Sequence, residues 1–113
     1  MEPTTTGSPY LLVEAEIDPD HLDDFERWHR ETHLDHVLKI PGVVAYRRFR
    51  SSQPNKITVL YEIADDEKIN AVLRSDEANR AREEWGPWMP HVRSLTVEVY
   101  SVLTPSPLRR HRN

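Results

Sequence analysis

Apolar and polar positions along the chain follow two periods, and the order in which those periods alternate predicts the fold. Over Tyr10 to Ile17 (YLLVEAEI), Leu11, Val13, Ala15 and Ile17 alternate with Tyr10, Leu12, Glu14 and Glu16, the two-residue period of a strand. From Asp18 to Gly42 the period lengthens to that of a helix. At about 100° per residue, Leu22, Phe25, His29, His33, His36 and Ile40 share one side. Asp18 suits the N-cap, Pro19 the first helical position, and Pro41-Gly42 the stop. Leu34 and Leu38 fall off the apolar side, which predicts a bend or a second short helix after His33. Val43 to Arg50 (VVAYRRFR) and Lys56 to Ile63 (KITVLYEI) read as two strands of a hairpin joined by the turn SSQPN. Asp65-Asp66 opens a helical stretch to Leu73, carrying Ile69 and Val72. Ser75 caps a further helix from Asp76 to Trp85, with Ala78 where a capping box would place Glu. Gly86, Pro87 and Pro90 break the segment WGPWMPHV, and Arg93 to Leu103 is a last strand alternating Leu95, Val97 and Val99.

The order β-α-β-β-α-β is the ferredoxin-like arrangement, an α+β fold with a four-stranded antiparallel sheet and helices on one face. Each strand also carries apolar residues on its second alternating set: Leu12, Val44, Leu60 and Val102. The sheet's other face is therefore expected to be covered by a second copy, giving a homodimer packed sheet to sheet. The expected organisation is a disordered segment 1–9, one domain over 10–103 and a flexible basic tail over 104–113.

Composition narrows the function. The 113 residues are 37% hydrophobic and 30% charged, as in one globular domain. The formal charge of −4 argues against a nucleic-acid partner, which calls for a basic face. Without cysteine there is no disulfide, thiol nucleophile or thiolate metal site. No apolar run approaches the roughly 20 residues of a membrane span, and residues 1–9 lack the parts of a signal peptide, so a cytoplasmic protein is expected. With three glycines there is no G-x-G-x-x-G or phosphate-binding loop, and no cofactor is expected.

The histidines are the principal candidates for chemistry. His29, His33 and His36 are spaced i, i+4, i+7, and an imidazole partly buried beside another titratable group is a natural general base or acid. The same residues raise the question of a metal. The sequence His29-Arg30-Glu31-Thr32-His33 is not HExxH, and ligands on successive turns of one helix would spread over about 10 Å at about 1.5 Å per residue. A His29–His33 pair completed by Glu14 or Glu62 is the remaining arrangement, and the expectation is that no metal is bound. Tyr46, Tyr61 and Tyr100 lie in strands and can offer a phenol to a carbonyl. Tyr46 falls on the more polar alternating set and Tyr61 on the less polar one, so only one of them is expected to face the helices. Arg48 or Arg47 can hold a carboxylate or enolate. Trp85, Trp88 and Met89, in the broken segment that ends at His91, make an apolar wall for a flat ligand.

The stretch WHRETHLDHVLKIPGVVAYRRF, residues 28–49, resembles the Trp-(Tyr/His)-x-x-x-His-Leu … Pro-Gly-(Val/Phe) segment of EthD-like members of the dimeric α+β barrel superfamily. Its relatives include small polyketide cyclases, muconolactone isomerases, stress-responsive barrel proteins and cofactor-free quinone-forming monooxygenases. The resemblance covers roughly residues 10–103. Where many such sequences have Pro two residues after the motif histidine, this chain has Asp35, followed by His36. The resemblance implies a pocket between sheet and helices lined by Trp28, His29 and His33. Joined to the residue reading, it leads to a small cofactor-free enzyme of cyclase, isomerase or lyase type, acting on an aromatic or polyketide-like small molecule. In that reading His33 is the base, His29 the acid or orienter, and Tyr46 or Arg48 the oxyanion partner. Trp28, His36, Tyr61, Trp85, Trp88 and His91 line the pocket. The alternatives are a cofactor-independent monooxygenase of the same superfamily and a non-catalytic dimer that binds a metabolite.

Overall fold

The computed structural model describes residues 9–103, so residues 1–8 and the expected tail 104–113 lie outside the described residues. Pro9, expected in the disordered segment, is instead buried, and its carbonyl accepts from the Ile63 N–H at 2.9 Å. Strand β1 is Tyr10–Ile17, β2 Val43–Arg50, β3 Lys56–Ile63 and β4 Val92–Tyr100. The first three match the sequence reading, and β4 ends three residues earlier than expected. A 3-10 turn at Pro19–His21 leads into helix α1 (Leu22–Trp28), a π-turn (His29–His33) and helix α2 (Leu34–Leu38). After β3 come α3 (Ile69–Arg74) and α4 (Asp76–Glu83), and then a 3-10 helix over Gly86–His91 where an irregular loop was expected. The four strands pair antiparallel in the order β2-β3-β1-β4, the ferredoxin-like topology.

The core forms on one face of the two central strands. Ala15 and Ile17 of β1 and Ile57, Val59, Tyr61 and Ile63 of β3 are buried, and against them pack Phe25, Leu34, Val37, Val72, Ala78 and Ala81 from the helices. Asp18 caps the first helical segment through its side chain, which accepts from the Asp20 N–H. At the other end Gly42 has φ 99°, and a β-carbon there would collide with Val72 of α3. Asn55, at φ 66°, closes the β2–β3 hairpin. Ser75 caps α4 by accepting from the Ala78 N–H at 3.0 Å. Ser75→Ala is expected to lower stability by about 1 kcal/mol, read as the shift of the urea midpoint at unchanged slope.

The π-turn changes the helix phase. One extra residue per turn is absorbed at His29–His33, so everything after it is rotated back by one position. Leu34, expected off the apolar side, is fully buried, whereas His36, expected to point inward with His29 and His33, is exposed. Leu38 remains exposed. The expected break after His33 is thus a widened turn that returns Leu34 and Val37 to the core.

A bulge in β2 overturns a second expectation. The pairing with β3 shifts between Val43 and Ala45, and this sets Tyr46 directly opposite Tyr61. Both tyrosines therefore face the helices, because the inserted residue exchanges the two alternating sets of β2 after Val44. Arg48 follows onto the same face and reaches Glu26 of α1.

The helices leave part of their own sheet face uncovered. Leu95, Val97 and Val99 of β4 pair with Ala15, Val13 and Leu11 on the helix side, yet are 41%, 56% and 47% exposed. The opposite face is mixed rather than apolar: Thr58 donates to Glu14 at 2.8 Å, and Lys56 lies 4.0 Å from the same carboxylate.

Candidate active site

The π-turn and the end of α4 bring together the residues with the strongest chemical interest. His33 is held from both sides. Its Nδ1 is 2.9 Å from Glu84 Oε1, and its Nε2 is 3.1 Å from the indole Nε1 of Trp85. An indole N–H can only donate, so Nε2 must be the acceptor, and the neutral ring then carries its proton on Nδ1 and donates it to Glu84. The second oxygen of Glu84 lies 2.5 Å from Nδ1 of His36. One carboxylate, following directly on α4, thus links a buried imidazole to an exposed one.

The electrostatics follow from this geometry. Burial lowers the pKa of His33, the hydrogen bond and charge of Glu84 oppose it, and the net shift is downward. Partial desolvation pushes Glu84 up, but the hydrogen bonds from His33 and His36 outweigh it and keep its carboxyl below the usual range. At neutral pH the pair is therefore a neutral imidazole oriented by a carboxylate, an arrangement able to accept a proton at Nε2 and to stabilise the resulting imidazolium.

Aromatic rings fix this unit in place. Trp28 stacks on His33 with centroids 4.8 Å apart, and Trp85 stands edge-on to the same ring at 90°. His29 stacks between Phe25 at 5.2 Å and His33 at 5.6 Å. It is buried with no hydrogen-bond partner for its Nδ1. Desolvation, with smaller contributions from His33 and Arg48, pushes its pKa down to about 3, so it is neutral across the physiological range.

Beside His33 opens an apolar cavity of about 100 Å³. Leu11, Val13, Val37, Ile40, Ile63 and Val72 form most of its wall, and His33, Tyr61, Arg82 and Trp85 supply the polar groups. Burial raises the pKa of the Tyr61 phenol, which stays protonated and able to donate. Of the residues singled out in the sequence, the structure brings His33, Tyr61 and Trp85 together at this cavity. Trp28 and Trp88 pack behind it around Phe25, and His29 lies in that same aromatic layer rather than on the cavity wall. Tyr46 packs edge-on to Tyr61 at 6.5 Å without lining the cavity. Arg48 is ion-paired with Glu26, and His36 is bound to Glu84 at the surface. His91 stacks on His21, apart from the cavity.

Glu84 and Arg82 were not singled out in the sequence. Their signal was there only as charges in the last turn of a helix entering Trp85, a pattern shared with any solvated helix end. The metal arrangement His29–His33 with Glu14 or Glu62 does not form. Glu14 and Glu62 belong to the alternating sets of β1 and β3 that face away from the helices, where Glu14 meets Thr58 and Lys56.

No family model matches the chain, and no curated protein matches it. Solved structures do. A conserved protein from Methanosarcina mazei superposes with a TM-score of 0.68 at 16% identity, covering 86% of this chain and 94% of the other. An EthD family protein from Bacillus halodurans gives 0.68 at 18% identity, covering 84% and 99%. These likenesses show the shared fold, a ferredoxin-like α+β domain. An antibiotic biosynthesis monooxygenase is a further match, at TM-score 0.65 and 17% identity over 85% of this chain and 99% of the other. No helix among the described residues is long and apolar enough to cross a membrane.

Proposed function

We propose that this chain is an EthD-like small enzyme that removes a proton from an aromatic or polyketide-like substrate held in the apolar cavity, with His33 as general base. The observation that carries the reading is the His33–Glu84 pair: a buried neutral imidazole, its tautomer fixed by a carboxylate, at the wall of an apolar pocket. As substrate enters, the Trp85 indole gives up its hydrogen bond and frees Nε2 to accept the proton. Glu84 stabilises the imidazolium that results, and the protonated Tyr61 phenol donates to the oxygen on which the substrate's negative charge gathers. His29, buried and neutral, orients His33 by stacking, and Trp28, Trp85 and Trp88 set the shape of the enclosure. Arg48 and Tyr46 support β2 from the helix side. Two copies assemble as a homodimer, which shields the apolar residues left exposed on the sheet.

From the common carbanion two outcomes are open. Reprotonation or ring closure gives cyclase, isomerase or lyase chemistry, without added cofactor. Reaction of the anion with dioxygen, with the substrate supplying the electrons, leaves one oxygen atom on the ring as a carbonyl and releases the other as water, which is monooxygenase chemistry. The structural similarity to an antibiotic biosynthesis monooxygenase supports this outcome and the first about equally. The experiment is to screen electron-rich phenols and aromatic 1,3-dicarbonyl compounds while recording product mass and oxygen uptake together. Turnover without oxygen uptake supports the first outcome and stoichiometric uptake the second. In either case His33→Gln is expected to lower kcat by 10²- to 10⁴-fold, the usual contribution of a positioned general base. Saturable binding of the same compounds with no turnover, or unchanged turnover by His33→Gln, would overturn the assignment.

A further inference from the structure

A second cluster lies outside the cavity, where the chain passes from β1 into its first helical turn and from the Gly86–His91 turn into β4. Asp18, His21 and His91 each present one ligand atom, and these atoms lie within 4.8 Å of one another. They form the group of three or more such side chains found among the described residues. Two hydrogen-bonded segments carry them: the Asp18 N–H donates to the His91 carbonyl at 2.8 Å, so the backbone positions of Asp18 and His91 are fixed relative to each other. The rings of His21 and His91 stack at a centroid distance of 3.6 Å and 17°, which places two imidazoles side by side. A second observation concerns the rings themselves: Nδ1 of His21 is buried with no hydrogen-bond partner. A buried imidazole nitrogen left unpaired at a cluster of ligating side chains has a use for a cation.

We infer that Asp18, His21 and His91 bind one divalent transition-metal ion of the zinc class, with water completing the shell. The donor set decides the class. Two imidazoles and one carboxylate suit Zn²⁺, Ni²⁺ or Cu²⁺, whereas Ca²⁺ and Mg²⁺ require oxygen shells. At metal–ligand distances of about 2.0–2.2 Å, ligand atoms of a tetrahedral ion stand about 3.3 Å apart. Closing from 4.8 Å calls for side-chain rotations by three partly exposed residues. Arg93 competes for the carboxylate, since its guanidinium lies 3.6 Å from Asp18 Oδ1. The ion therefore displaces Arg93 from Asp18 and splays the stacked rings. Its structural effect is to tie the start of the first helical segment to the end of the turn that carries Trp88. Neither the donor set nor its geometry depends on the proton-transfer reading of His33.

The test uses the full chain without an affinity tag, titrated with Zn²⁺ alone by calorimetry, with bound metal counted by elemental mass spectrometry. One ion per chain is expected, with affinity reduced at least tenfold in His21→Gln and in His91→Gln. Arg93→Gln is expected to bind several-fold more tightly, because it frees the carboxylate, an effect that adventitious binding at surface histidines would not show. His111→Ala, outside the described residues, and His36→Gln are expected to bind as the wild type does. Circular dichroism and the melting temperature without metal confirm that each variant is folded, and Zn²⁺ is expected to raise the melting temperature of the wild type but not of His21→Gln. Absence of stoichiometric binding, retention of affinity in both His21→Gln and His91→Gln, or its loss in His111→Ala or His36→Gln would overturn the inference.

Discussion

Glu84→Gln is expected to reduce kcat on a turned-over substrate about 10²-fold with little change in KM. The substitution keeps the shape of the side chain and one hydrogen bond to His33, but removes the negative charge that faces the imidazolium formed on proton transfer. An effect confined to the transition state appears in kcat rather than in binding. The loss should be smaller than that of a fully buried orienting carboxylate, because Glu84 has about a quarter of its side chain exposed and shares its charge with His36. The pH dependence supplies a second readout. In the wild type the Glu84 charge raises the pKa of His33 against the downward pull of burial. Removing that charge lowers the pKa further, so the acid limb of kcat/KM, where the base becomes protonated, moves to lower pH. Long-range ¹H–¹⁵N spectra give the tautomer directly: proton on Nδ1 in the wild type and still on Nδ1 in Glu84→Gln, because the Trp85 indole keeps Nε2 an acceptor and the glutamine oxygen can accept from Nδ1–H. An unchanged kcat together with an unmoved acid limb would remove Glu84 from the mechanism.

Acidification is expected to destabilise the fold between about pH 6 and pH 3, chiefly through His29. The folded-state pKa of about 3 lies below the ordinary value of 6.5, so the native state binds fewer protons than the unfolded chain throughout this window. Stability is therefore fully present above the unfolded value and is lost as pH falls toward the folded one. Between pH 7 and pH 4.5 the contribution of this one residue amounts to about 3 kcal/mol, at about 1.4 kcal/mol per pH unit. His33, also lowered, adds in the same direction. The measurement is urea unfolding at a series of pH values. His29→Leu should flatten the curve over this window. Near pH 7 the replacement should be close to neutral, because it removes a buried nitrogen that has no partner and leaves an apolar group against Phe25. A curve as steep in His29→Leu as in the wild type would show that other groups govern acid unfolding.

The first three strands were legible nearly to the residue because β1 and β3 alternate strictly and all three begin just after Pro, Gly or Asn. What the pattern could not carry were insertions. A bulge at Val44 and a widened turn at His29–His33 each add one residue to an otherwise regular element, and each changes which side chains face inward beyond it. Tyr46, Leu34 and His36 were all misplaced for this one reason. The helix from Asp18 correctly supplied His29 and His33 as inward residues, since both lie within or before the widened turn. The partners of those histidines were harder to read. Glu84 is 51 positions from His33 and His21 is 70 positions from His91, and an ordinary charge or a single histidine acquires meaning only when the sheet has brought such segments together.

The widened turn also separates what the fold needs from what the site needs. Because it absorbs one residue and then resumes the helix, deleting one exposed residue within it, Arg30 or Glu31, would leave an ordinary helix whose two halves still meet the core with Phe25, Leu34 and Val37. Chain length at this point is thus not dictated by packing. The shorter helix, however, could not keep His29 and His33 stacked on each other while His33 reaches Glu84, since the ring spacing of that pair is set by the five-residue turn. A one-residue deletion here is therefore expected to be tolerated by the fold and to cost the site its histidine geometry.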